Sequence, residues 1–254
     1  MVAGVDELWL QSVVSEETAI NQQLQAFFPN ERLRLYQTTT PFPVEWLTLQ
    51  EQAFFETLKH PNRQASWLLG RTLLKFLACQ QSDLVPLGVE NPLDTIEAWH
   101  FPHQQCSVSH TERVAYVLVN LNQQSAGSVG LDVEGMSRKP LSLKALGYLL
   151  SEAERMDLQR LQLENPEERW DLRYWTAKEA LYKATPDEHQ GNIQLNSWQM
   201  ESLNNVGMSQ AQAVTKTGVL LTGRVFNTVT PCLQSRCSIS VALVEDLKKT
   251  RLLH

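Results

Sequence analysis

Two short stretches with different periodicities do most to limit the folds open to this chain. At residues 129–134 the sequence reads VGLDVE, an alternation of period two. On a strand it puts Asp132 and Glu134 on one face and Val129, Leu131 and Val133 on the other. At residues 173–184 it reads RYWTAKEALYKA, in which Trp175, Glu179 and Lys183 are spaced i, i+4, i+8. Each step of four turns a helix by only about 40°, so these three form one stripe: an aromatic wall, a carboxylate and an ammonium. A strand and a helix that bring three carboxylates and a lysine together suit a hard divalent cation holding a phosphate ester.

The remaining pattern gives helices flanked by short strands. Residues 8–14 read as a strand and 16–28 as a helix ending before Pro29. Helices are expected over 45–59 and, after Pro61, through SWLLGRTLLKFLACQ, with Arg63, Arg71 and Lys75 on its polar faces. Residues 82–101 read as loop. CSVSHTERVAYVLVN reads as strand, turn, strand, with the second strand over 114–119. One long helix is expected from 141 to 163, with Leu143, Leu146, Leu149, Leu150 and Met156 on its apolar side, and another over 170–184. NIQLNSWQM, GVLLTGRVF and CSISVALV are strand-like, and the KKTRLLH tail is expected to be solvated. The sum is an α+β chain of two similar, pseudo-symmetric halves, 1–125 and 126–254, each a small antiparallel sheet packed with helices.

Bulk properties narrow the function classes. The chain has 254 residues, 43% of them hydrophobic, enough for a sizeable core. It has no apolar run near the length of a membrane span, and its acidic N-terminal stretch lacks the basic-then-apolar order of a signal peptide. A cytoplasmic protein without a membrane partner is expected. The formal net charge of −6 argues against nucleic acid as a partner. Residues 1–125 hold 7 basic and 13 acidic side chains, yet residues 57–82 carry Lys59, Arg63, Arg71 and Lys75 and no acid. Cys79, Cys106, Cys232 and Cys237 show no metal spacing and are expected to be free thiols.

Each candidate group also has an ordinary explanation. A DxE pair is common on a solvent-facing strand, and Glu179 four residues before Lys183 is the favourable order for a helix-surface ion pair worth about 0.2–0.5 kcal/mol. Ser109–His110, in SVSHT, could simply occupy a turn. Arg63 and Arg71 are suited to gripping a phosphate, but a solvated helix face explains them equally well. Lys178 lies off the stripe and is a further candidate phosphate contact.

In combination the segments resemble the Sfp-type 4′-phosphopantetheinyl transferase family. RQASWLLGRTLL at 63–74 is similar to its arginine-containing first helix, and SVSHT at 107–111 to its SHS-type motif. VGLDVE is similar to its (V/I)G(V/I)D(V/I)E signature, LLSEAE at 149–154 to its FFSxxE segment, and WTAKEALYK at 175–183 to W(S/T)xKEAxxK. These segments span 63–183, roughly half the chain. Two departures stand out: 87–101 lacks the family's GKP-like stretch, which leaves the adenine pocket unassigned, and Thr111 follows His110 where serine is usual.

The resemblance implies a fold of two similar halves with coenzyme A in the cleft between them. It implies transfer of the phosphopantetheine arm of coenzyme A to a serine of an apo acyl or peptidyl carrier protein, releasing adenosine 3′,5′-bisphosphate. By matching positions, Asp132, Glu134 and Glu179 would bind Mg²⁺, and Lys183 would stabilise the departing phosphate. His110 and Arg71 would contact coenzyme phosphates, with Arg63, Ser109 and Lys178 as further binding candidates. Glu179, or a metal-bound water beside it, would help deprotonate the serine. The chain's length favours the tandem form, and a monomer is the simplest expectation. Two rivals are a hydrolase that cleaves coenzyme A with water and a homologue that binds without transferring.

Overall fold

The structure is a computed structural model that describes residues 7–80, 105–122, 125, 127–203, 208–232 and 235–246. The expected loop at 82–101, the segment that differs from the family's adenine-bordering stretch, and the KKTRLLH tail lie outside these residues. The architecture is α+β, with two antiparallel sheets packed with helices.

The first sheet takes its strands from residues before 121. They are β1 (Val14–Glu16), β2 (Leu33–Thr38), β3 (Cys106–His110) and β4 (Ala115–Asn120), in the order β1-β2-β4-β3. Helix α1 (Glu7–Val13) stands where a strand was expected at 8–14, and only its last residue, 14, enters a strand. Helix α2 (Thr18–Phe27) follows, then α3 (Leu49–Thr57), opened by a Thr48/Glu51 capping box, and α4 (Pro61–Gln80).

Helix α4 differs from its expected amphipathic form. Arg71 and Lys75 are buried rather than solvated, and both pair with the buried Glu51 of α3, at 3.7 and 3.1 Å. The Arg71 guanidinium also lies 4.7 Å above the Trp67 ring. Helix α4 is covered on two sides, by β4 through Leu69, Leu73 and Leu77 and by Phe42 and Leu47 through Trp67 and Leu68. Burial therefore reaches side chains that a one-sided helix would leave in water, and Glu51 supplies the counter-charge.

The second sheet runs β5-β9-β8-β7-β6, formed by β5 (Ser128–Gly135), β6 (Gln199–Met200), β7 (Met208–Val214), β8 (Leu220–Cys232) and β9 (Ser235–Asp246). Before it come α5 (Leu143–Leu149), α6 (Glu152–Glu164), α7 (Trp170–Lys183) and the short α8 (Asp187–Gln190). The single helix expected over 141–163 is two, because Ser151 is extended and caps α6 in a box with Glu154. As a result Leu143 and Met156 face solvent rather than a common apolar side. The strand expected at NIQLNSWQM shrinks to β6, preceded by a 3₁₀ turn at Leu195–Ser197.

One core joins the two sheets. Ile20, Leu24 and Phe28 around α2, Leu35 of β2 and Tyr116 and Leu118 of β4 pack with Val129, Leu131 and Val133 of β5 and Ile239 and Val241 of β9. Helix α4 covers the outer face of the first sheet, and α5 to α7 cover that of the second. The period-two pattern of 129–134 is thereby explained. Its apolar face enters the shared core, and its acidic face turns toward α7.

Candidate active site

Strands β3 and β5 are the facing edges of the two sheets. An edge strand leaves backbone N–H groups without a ladder partner, and burial makes that costly. Here the gap is closed by side chains: Ser107 Oγ accepts from Leu131 N at 3.0 Å and Ser109 Oγ from Val133 N at 3.1 Å. The S-V-S alternation of β3 thus stitches the sheets together. Ser109 Oγ also donates to Asp132 Oδ1 at 3.1 Å. The next residue, His110, lies at the open end of β3. There the Thr111 hydroxyl accepts from Val114 N at 3.3 Å and holds the turn into β4, so the hydroxyl retained at this position has a structural use.

Helix α7 crosses β5 at very close range. A Cβ on Gly130 would stand 2.0 Å from Ala180 O and 2.6 Å from Ala184 N, so only glycine admits the helix here. This approach carries Lys183 to Asp132. Lys183 Nζ donates to Asp132 Oδ1 at 2.7 Å and to Leu131 O at 3.2 Å. The lysine turns to the strand and forms its ion pair with Asp132.

Asp132 is buried, and while Oδ1 accepts from both Ser109 and Lys183, Oδ2 is buried without any hydrogen-bond partner. Glu134 is paired with Arg138, whose guanidinium lies 5.4 Å above the Trp175 ring, and Trp175 hydrogen-bonds to Glu134. Glu179 sits near enough to feel both other carboxylates. Burial first, then the charge of Asp132, hold its carboxyl above the usual range. Burial likewise raises Glu134, against the opposing pull of Arg138. At His110 desolvation and then the Lys183 charge lower the pKa, which keeps the ring neutral near neutral pH.

Among the described residues no three His, Cys, Asp or Glu side chains are already drawn together as a metal-ligand group. The donor chemistry nonetheless fits a divalent cation: one orphaned, buried carboxylate oxygen, and two neighbouring carboxyls whose ionised forms are disfavoured by burial and by mutual repulsion.

The structure thus gathers Ser109, His110, Asp132, Glu134, Glu179 and Lys183 at the seam between the sheets. It does not bring Lys178 there. That side chain is fully buried, with Nζ 2.6 Å from Glu154 Oε1 and donating to the carbonyl of Trp198, so a phosphate contact is replaced by a structural ion pair. Arg71 is engaged with Glu51 inside the α3–α4 junction, and Arg63 is exposed on the first turn of α4.

Sequence reasoning also missed supporting residues. Arg169 forks onto Asp171, both contacts at 2.9 Å, and donates to the carbonyls of Met136 and Arg138, while Leu141 N donates to Asp171. These bonds hold the loop that carries Arg138. Arg169 and Asp171 are close in sequence, but nothing in their spacing points to a loop some thirty residues earlier.

A family model for ACPS, the 4′-phosphopantetheinyl transferase superfamily, matches residues 128–227. No curated protein matches the chain. The matched segment runs from the first residue of β5 through α5, α6 and α7 into β8, and contains Asp132, Glu134, Glu179 and Lys183. Over these residues the chain is similar to the 4′-phosphopantetheinyl transferase superfamily.

Proposed function

We infer that this protein is an Sfp-type enzyme that moves the 4′-phosphopantetheine arm of coenzyme A onto a serine hydroxyl of an apo acyl or peptidyl carrier protein, with Mg²⁺ required. The observation that carries the reading is Asp132, with one oxygen fixed by Lys183 and Ser109 and the other buried without a donor. A buried acceptor left open beside two further carboxylates is a ligand position for a cation.

Asp132, Glu134 and Glu179 would hold Mg²⁺, whose charge offsets that of the coenzyme A pyrophosphate. Glu179, set on α7 beside Asp132, would take the proton of the carrier serine. The serine oxygen bonds to the phosphorus bearing the pantetheine arm, and the bond from that phosphorus to the bridging oxygen breaks. Adenosine 3′,5′-bisphosphate leaves with the bridging oxygen and its charge, which the Lys183 ammonium would offset. Neutral His110, at the mouth of the seam, donates one ring N–H to a coenzyme phosphate. The seam joins the halves 1–125 and 126–254, so one chain carries the whole site and a monomer suffices. Among the described residues Cys79, Cys106 and Cys237 form no disulfide, which suits a cytoplasmic setting.

The test is the intact mass of an apo carrier protein incubated with this protein, coenzyme A and Mg²⁺, with a metal-free control. Gain of one phosphopantetheine, lost without metal, is the expected result. Coenzyme A cleaved with the carrier unmodified would point to a hydrolase instead. Coenzyme A bound intact, with no transfer to any carrier type, would leave a binding protein.

A further inference from the structure

A cavity of about 490 Å³ opens on the far side of β9 from the candidate site. The sheet register runs Glu134 to Ser238 to Val229, so its β8 wall lies two strands from β5, while Arg236 lines it from β9, the strand between. Its lining includes Arg173, Arg236, Glu168, Asn227, Phe27 and Phe226. Arg173, on α7, is only 5% exposed. Its Nε donates to the neutral Asn227 Oδ1, and its guanidinium stacks 4.3 Å above Trp170. It forms no ion pair with any described carboxylate. Glu168 pairs with Arg236 at 3.1 Å, which leaves two guanidiniums against one carboxylate around the cavity. Glu168 Oε2, meanwhile, is buried without a hydrogen-bond partner. The Phe27 and Phe226 rings, 5.0 Å apart between centroids, form an apolar wall.

We propose that this cavity is a binding site for a small organic acid. Its carboxylate meets the Arg173 and Arg236 guanidiniums, a hydroxyl or ammonium group donates to Glu168 Oε2, and a ring-sized apolar body lies against Phe27 and Phe226. A buried arginine whose hydrogen bond goes to a neutral amide, with Glu168 near it but paired to Arg236, keeps donors for a planar, two-oxygen anion. The orphaned Glu168 oxygen requires a donor and the Phe27 and Phe226 wall an apolar body, which no inorganic anion supplies together. The volume lies within the usual range for small-molecule sites. This site is independent of the transferase reading, since none of these residues belongs to the carboxylate–lysine group.

The test is isothermal titration of the full-length protein with 4-hydroxybenzoate as probe, alongside its neutral counterpart 4-hydroxybenzyl alcohol and inorganic phosphate. Saturable binding of the acid, at least tenfold weaker for the alcohol and for phosphate, is expected. The half-exposed Arg236 permits Arg236→Ala without loss of fold, and that variant should weaken the acid by tenfold or more. Arg173→Gln, checked by circular dichroism, should do the same. Absent saturation, equal binding of the alcohol or phosphate, or unchanged affinity in a folded Arg236→Ala would overturn the assignment.

Discussion

Ser109 serves two structural demands at once, accepting from Val133 N across the seam and donating to Asp132. Ser109→Ala leaves a buried N–H without an acceptor, and should destabilise the protein by about 1–3 kcal/mol in urea unfolding while lowering turnover. Glu179→Gln and Lys183→Ala should each reduce carrier modification by about 100-fold or more with the fold retained, as expected when a single charged partner of a phosphoryl transfer is removed. Near-normal rates in either folded variant would remove that residue from the mechanism. The carboxyls also predict a pH effect. Glu134 and Glu179 both have folded-state pKa values raised above 4.5, so folding favours their protonated forms. Their contribution to metal-free stability is fully present below 4.5 and lost as pH rises through the raised values. Mg²⁺ binding requires the ionised forms, so the gain in Tm on adding Mg²⁺ should grow over that same interval. A Tm gain independent of pH, or unchanged in Asp132→Ala, would count against these ligands.

At the scale of elements, α7 is positioned by two contacts that read as unrelated in the sequence. Gly130 lets its backbone approach β5, and Glu154 at the start of α6 anchors it through the buried Lys178, also accepting from Met200 N at 2.9 Å. Gly130→Ala forces α7 away from the strand. It should cost about 1–3 kcal/mol or more, and it should depress turnover further than stability loss explains, because Lys183 moves with the helix. Glu154→Ala strands a buried ammonium and should cost about 3–5 kcal/mol, measured by denaturant unfolding, with partial recovery in a Glu154→Ala/Lys178→Met double variant. These elements also show where periodicity misleads. The 141–163 stretch has one continuous apolar rhythm, yet Ser151 and Glu154 complete a capping box that divides it. Residues 8–14 alternate weakly enough for either strand or helix, and packing of Leu10 into the core settles them as helix.

At the scale of the molecule, the two sheets share the core built by α2, β2, β4, β5 and β9. The described body should therefore unfold in one cooperative transition, and Leu131→Ala, in that shared core, should lower its midpoint by an amount worth about 2–5 kcal/mol without splitting it. Two separate transitions by calorimetry would show the halves to be independent. The α+β class, the strand at 129–134, the helix over 170–183 and the candidate group Asp132, Glu134, Glu179 and Lys183 were legible from the sequence, because side-chain period and chemical type are local properties. Which partner each charge takes was not. Lys178 and Lys183 lie five residues apart on one helix and look alike on paper; one is buried against Glu154 and the other reaches Asp132. Arg71 reads as a solvent-facing cation until Glu51 and Trp67 enclose it. Ionic pairing and burial depend on which distant segments meet, and only the tertiary structure decides that.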